Sequence, residues 1–225
     1  MKKISLAVLL LAVGILVAAA PASAVNSLVV NAGAALNATN FGLAVTVGAN
    51  AGDTNAVYVQ SSHPLDETHM ELRFRLRIQS LTAPLTGPGR NFRMMNMADD
   101  AAPLTPHKVM FLQRQPGDGQ WRFLAWTYTN GGAYEYVGSF FLAFYNAAAD
   151  RQVRCEWTKA TGPNNGIFRC ERTDAPGTQF FQRTNINDSN FQTDYVQAGF
   201  FDFDSFGAAT GGGGKLDFDE YESYR

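Results

Sequence analysis

The last ten residues, "LDFDEYESYR", alternate apolar and acidic side chains from Leu216 to Asp219 and then lose the alternation. Carboxylates in such a row can do three things. Two of them flanking a glycosidic bond, about 5 to 5.5 Å apart, could cleave it with retention. Several converging oxygens could hold calcium, which takes about 6 to 8 oxygen ligands. A row could also face cations across a sheet and do no chemistry. Asp217 and Asp219, with Asp202 and Asp204 of the upstream "DFD", are the candidate calcium ligands. No Asp-rich loop of the EF-hand type accompanies them.

A basic row matches the acidic one. In "HMELRFRLRIQ" the residues Met70, Leu72, Phe74, Leu76 and Ile78 alternate with Glu71, Arg73, Arg75, Arg77 and Gln79. On a strand the three arginines project at intervals of about 6.6 Å and repel one another unless acids lie across from them. If the closing strand is their neighbour, Asp217 and Asp219 supply those acids, and each exposed pair contributes at most about 1 kcal/mol. An unpaired row could instead grip uronate or sulfate groups through forked hydrogen bonds.

The third chemical set is aromatic. Trp121, Trp126, Tyr128, Tyr134, Tyr136 and Tyr145 fall in one stretch. Alternation puts Trp121, Phe123 and Ala125 on one face of a strand and Arg122, Trp126 and Tyr128 on the other. Exposed, such rings form a stacking surface; turned inward, they fill a core. No Gly-x-Ser-x-Gly elbow is present. "TGGGGK" lacks the phosphate-loop spacing and a following helix, and reads as a turn.

The elements that must position these residues are strands. Period-two alternation dominates, and no capped stripe of helical period appears after the N-terminal segment. Strands are expected at Leu43 to Val47, Ala56 to Gln60, His69 to Gln79, Phe92 to Met97, Lys108 to Gln115 and Trp121 to Thr129. Others follow at Tyr134 to Phe144, Gln152 to Lys159, Ile167 to Arg172, Tyr195 to Phe203 and Lys215 to Tyr224. Turn clusters such as "PGDG", "TNGG" and "TGPNNG" separate them. Strands with one oily and one charged face belong to antiparallel sheets covered on one side, so the expected architecture is a two-sheet all-β sandwich of the jelly-roll kind.

The N-terminus bears on location. Lys2 and Lys3 precede an apolar run from Leu6 to Ala20, and Ala22-Ser23-Ala24 offers small residues at the positions a signal peptidase reads. Residues 1–24 are therefore expected to be a signal peptide, and residues 25–225 a single secreted or periplasmic domain. Nothing after it approaches the ~20 apolar residues of a membrane helix, so no membrane insertion is expected once the signal is cleaved. Losing Lys2 and Lys3 moves the formal charge from -2 to -4, which disfavours nucleic acid as a partner. Both cysteines, Cys155 and Cys170, are expected to form a disulfide in an oxidising compartment. The hairpin "CEWTKATGPNNGIFRC" would set them opposite one another.

The order "ELRFRLRI", "VRCEWTKATGPNNGIFRCE", "YVQAGFFDFDSFGAATGGGGKLDFDEYESYR" resembles the laminin-G-like and concanavalin-A-like jelly rolls of exported bacterial proteins, over about Asn40 to Arg225. The resemblance implies a fold shared by lectins, carbohydrate-binding modules, glycoside hydrolases and polysaccharide lyases. Jelly-roll glucanases carry a Glu-x-Asp-x-x-Glu or Glu-x-Asp-x-Glu motif near mid-chain. "DFDEYE" has the spacing, but it begins with Asp217 and stands at the C-terminus. Alginate-type lyases share an "ELR" strand, here Glu71 to Arg73, and a late Gly-bearing strand, here "YVQAGFF". They need a Gln and a His on a central strand and a Tyr and a Lys on the late one. "KVMFLQRQ" has no histidine, and Gln197 stands in the lysine position.

These readings converge on an exported, non-catalytic sandwich whose open face binds a polysaccharide or glycan. Trp126, Tyr128, Tyr134 and Tyr136 are the stacking candidates, and Arg73 or Arg75 the polar ones. No cofactor is expected unless calcium binds at Asp202, Asp204, Asp217 and Asp219. An envelope or matrix interaction module without a sugar site, and a diverged polysaccharide lyase or glycoside hydrolase, are the alternatives. Two or more of the four aromatics must be exposed on one face for the first reading to stand.

Overall fold

The computed structural model describes residues 26–48, 56–81, 91–100, 105–115, 120–144, 150–175, 179–203 and 213–225. These residues form thirteen strands: β1 (Ser27–Asn31), β2 (Gly42–Val47), β3 (Val57–Glu67), β4 (His69–Ile78), β5 (Asn91–Asp99), β6 (Thr105–Arg114) and β7 (Trp121–Tyr128), followed by β8 (Tyr134–Ala143), β9 (Asp150–Thr158), β10 (Gly166–Arg172), β11 (Phe180–Ile186), β12 (Thr193–Phe203) and β13 (Gly214–Tyr224). One 3-10 turn, Ala32–Ala34, follows β1. The expected signal peptide lies outside the described residues, as do Tyr145 and Asp204.

All pairings are antiparallel. One sheet has seven strands in the order β1-β2-β13-β4-β9-β10-β11, and the other six in the order β3-β12-β5-β6-β7-β8. The expected two-sheet all-β sandwich is therefore what the chain forms. Its core is built by alternation: Met70, Leu72, Phe74, Leu76 and Ile78 of β4 meet Phe92, Met97, Leu112 and Phe123 of the opposite sheet in one buried cluster. Full burial of such a side chain stabilises the fold by about 1.5–3 kcal/mol.

The two long seams of the sandwich differ. At the β8/β11 seam Phe181 packs against Gly138 so closely that a Cβ at Gly138 would lie 2.4 Å from the Cβ of Phe181. Phe123, Phe140 and Phe181 stack there. At the other seam β1 and β3 leave Val29, Val30 and Val59 exposed.

Cys155 and Cys170 are bonded and stand directly opposite in the β9–β10 register, fully buried. The closed loop spans a sequence separation of 15, for which chain entropy gives about 3 kcal/mol.

At one end of the sandwich lies a polar knot. Lys108 and Asp188, both without exposed side-chain surface, are 2.9 Å apart. Asp188 also accepts from Trp157 Nε1 at 2.7 Å and Ala160 N at 2.9 Å. His107 lies 3.1 Å from Lys108 Nζ through Nδ1 and 3.1 Å from Thr193 Oγ1 through Nε2. Burial, and then the Lys108 charge, hold the His107 imidazole well below its usual pKa. The knot joins β6, β9 and the turn before β12.

Candidate functional site

Each sheet turns one broad face outward, and the two faces differ in chemistry. On the seven-stranded sheet β4 lies between β13 and β9, with Asp217 opposite Arg77 and Asp219 opposite Arg75. Arg77 pairs with the buried Asp217 carboxylate at 2.7 Å, and the same oxygen accepts from Gln79. Beyond Asp219 the register breaks. Glu220 takes a positive φ of 47°, and Arg75 pairs with Glu220 at 3.0 Å rather than with Asp219. Asp219 turns to Leu36 N at 2.6 Å and to Thr39 Oγ1; these hydrogen bonds outweigh its burial and hold its carboxyl below the usual range. Arg154 bridges Glu71, Glu156 and Glu171, and Arg73 joins Glu71 under the ring of Tyr224.

This placement redirects two expectations. Arg73 and Arg75 share no face with the aromatic candidates, because β4 belongs to the opposite sheet; they serve a charge ladder. The three candidate calcium ligands that fall on described residues stand on strands of two different sheets. Asp217 and Asp219 are committed to the partners just named, Asp202 stands on β12 of the other sheet, and Asp204 is outside the described residues. The "ELR" segment lies on β4 of the seven-stranded sheet, whereas the late strand β12 lies in the other sheet between β3 and β5.

The outer face of the six-stranded sheet gathers the aromatics. Trp126 is registered opposite Tyr136, and Tyr128 opposite Tyr134. Trp126 meets Tyr136 edge-on at 5.5 Å, and the Tyr128 and Tyr134 rings lie 4.8 Å apart. Tyr134 is 39% exposed and Tyr136 46%, with Trp126 and Tyr128 half-buried beside them. The patch rests on Val109, Phe111 and Leu124, an apolar cluster separate from the main core. Tyr134 Oη donates to Pro106 O at 2.7 Å, and Arg183, paired with Glu135, donates to Tyr136 O at 2.8 Å, so the edge strand is held from both ends. Trp121, by contrast, faces the core.

A row of amides continues the same line across the sheet. The registers run Gln60–Gln197–Asn96–Val109–Trp126–Tyr136 over six strands. Gln197 Nε2 donates to Gln60 Oε1 at 2.8 Å, and Asn96 Nδ2 donates to Gln197 Oε1 at 3.2 Å. Asn96 Oδ1 ends the chain as a buried acceptor with no partner among the described residues. Tyr58 stacks on Phe201 at 5.0 Å beside this row, and the Arg93 guanidinium lies 5.3 Å over the Phe201 ring. Gly199, at φ 153° and 2.2 Å from Val57 O if given a Cβ, makes the bulge between them.

Gln60, Asn96 and Tyr58 were not picked out from sequence. Asn96 follows a register shift after Arg93, so alternation counted from Phe92 sends it to the wrong face. The signal available was Gln197, whose neighbours across the sheet complete the row.

Comparison with protein-family models finds no match, and comparison with curated protein sequences finds none either. Among solved structures, an endo-β-1,4-glucuronan lyase from the fungus Trichoderma reesei superposes with a TM-score of 0.58 at 14% identity, covering 88% of this chain and 86% of that one. An alginate lyase from Pseudomonas aeruginosa superposes at 0.50 with 12% identity over 82% of each chain. The fold is a two-sheet antiparallel jelly-roll β-sandwich. On this jelly roll the outward positions of β6 are Val109, Phe111 and Gln113, and β12 presents Gln197 between them and β3. Tyr195 shares that outward face of β12 with Gln197, since the alternate residues Val196, Ala198 and Phe200 turn into the core.

Proposed function

We propose that the protein is an exported, non-catalytic jelly-roll module that binds a polysaccharide or glycan across the outer face of its six-stranded sheet. The observation that carries this reading is the alignment of Trp126, Tyr128, Tyr134 and Tyr136 as two cross-strand pairs on one face, with Tyr134 and Tyr136 open to solvent. Rigid aromatic rings supply contact area at low entropic cost. On the outer face Tyr195 is followed by Gln197 where a lyase would carry a lysine, and Val109, Phe111 and Gln113 of β6 include no histidine, which favours binding over lyase chemistry. The similarity to two polysaccharide lyases supports a carbohydrate partner.

The test is a glycan array with the purified chain from residue 25 onward, run with calcium and with a chelator. Binding that Trp126→Ala or Tyr136→Ala removes, and that Arg73→Ala leaves intact, supports the reading. Chelator sensitivity would add a metal to it. Silence from protein with a cooperative melting transition refutes it and moves the weight to an interaction module.

A further inference from the structure

The loop between β11 and β12, residues 187–192, carries one aromatic side chain in an otherwise polar run, "NDSNFQ". Phe191 is half-buried. Its ring lies parallel to the His107 imidazole at 5.9 Å and meets Tyr128 edge-on at 5.5 Å. Tyr128 in turn lies 4.8 Å from Tyr134. Phe191 therefore stands between the buried polar knot and one of the two aromatic pairs of the outer face. Neither Trp126 nor Tyr136, the other pair, has a ring contact with it among the described residues.

The loop is fixed from three sides. Asp188 ties it to Lys108, Trp157 and Ala160 in the knot. Gln192 N donates to Asp99 Oδ2 at 3.1 Å. Asn130, in the turn between β7 and β8, donates its backbone N–H to Asn187 O at 2.8 Å. Its side chain donates through Nδ2 to Asn187 Oδ1 at 2.8 Å and Ser189 Oγ at 3.0 Å, and accepts from Asn190 N at 3.2 Å. Within the loop Phe191 N donates to Asp188 O at 3.1 Å. The ring is thus carried by backbone that has little freedom, with His107 behind it.

We infer that Phe191 is a positioning residue of the aromatic face: backed by His107 and held by the Asn130 clamp, it fixes the Tyr128 ring, and with it the Tyr128–Tyr134 pair, for stacking. The purpose of this role rests on the glycan reading; the positioning itself is measurable without a ligand. A ring ordered in advance loses less rotamer freedom when a ligand stacks on it, so the contact serves affinity without touching the ligand.

The experiment is nitration of the purified chain from residue 25 onward by tetranitromethane, with the rate at each tyrosine read from peptide masses. Asn130→Ala removes the side-chain clamp and no ring; Phe191→Leu keeps apolar volume and loses the flat ring. Each should raise the Tyr128 rate about threefold or more relative to Tyr136 in the same molecule. The double variant should do no more than Phe191→Leu alone, because the clamp acts through the ring. Phe191→Tyr, which keeps the ring, should restore the parent rate at Tyr128. An unchanged Tyr128 rate, a rise shared equally by Tyr136, or effects that add in the double variant would each overturn the inference. On a glycan that the array identifies, Phe191→Leu should weaken binding about 2- to 10-fold and Phe191→Tyr should not; equal binding by Phe191→Leu overturns the role in recognition. A silent array strikes the glycan reading and leaves the nitration result to decide the positioning.

Discussion

Asp188→Asn keeps the side chain's shape and removes its charge from the polar knot. In the parent, Asp188 Oδ2 accepts from Lys108 Nζ and Trp157 Nε1, and Oδ1 accepts from Ala160 N. An amide has one acceptor oxygen, so its NH₂ must face one of these donors, and Lys108 keeps its buried charge without the opposing carboxylate. Removing one partner of a buried pair costs about 3–5 kcal/mol. In a domain of 150–250 residues each kcal/mol lowers the melting temperature by about 2–4 °C, so a fall of roughly 10 °C is expected. The pH dependence has a definite sign. Burial pushes the Lys108 pKa down to about 8 from 10.5, with Asp188 opposing that shift. The folded value lies below the unfolded one, so the unfolded chain binds more protons between them, and this group's contribution to stability rises with pH from about 8 to 10.5. Without Asp188 the folded pKa falls further and the rise begins at lower pH. The gap between variant and parent therefore narrows as pH climbs toward and past 8. Thermal and urea unfolding at pH 6, 7, 8 and 9 measure it. A variant within about 1 kcal/mol of the parent, or a gap that widens with pH, would refute the reasoning.

Three further outcomes are expected. Arg77→Ala leaves the buried Asp217 carboxylate with Gln79 and should cost about 1.5–3 kcal/mol in urea unfolding, whereas Arg73→Ala, on an exposed guanidinium, should cost under about 1 kcal/mol. Gly138→Val drives a side chain into Phe181 and should lower stability by about 1–3 kcal/mol; an unchanged melting temperature would show that the seam is not closely packed. Replacing Cys155 and Cys170 together by Ala should cost about 2–4 kcal/mol, and the same loss should appear in the parent on reduction.

Much of this was legible in the residues because a strand's period is two. The β4 segment alternates without interruption, and every apolar position in it is buried. The pairing of its arginines with the closing strand could be read from charge sign alone as far as Asp217; the bulge at Glu220 could not, because a positive φ at a glutamate has no compositional mark. Strands β1 and β11 were missed. "FFQRTNI" has exposed Phe180 and polar residues on both faces, since an edge strand is free of the constraint that writes alternation into a central one. The aromatic face was visible as a cluster, but the assignment of Arg73 to it failed, because alternation says which side of a strand a residue takes and not which sheet the strand joins. Asn96 and Lys108 were hidden for a related reason. Register shifts in β5 and a buried cation in β6 both depend on partners far away in sequence.

The charge ladder on the seven-stranded sheet has a consequence for how the molecule meets its medium. Arg73, Arg75, Arg77 and Arg154 are each matched to an acid on that face, so the sheet shows solvent a fine mosaic of alternating sign whose potential cancels within a few ångströms. The opposite face presents amides and rings. Added salt therefore acts first on the paired charges of that side, while the aromatic pairs of the other answer more to cosolutes that compete for ring contacts.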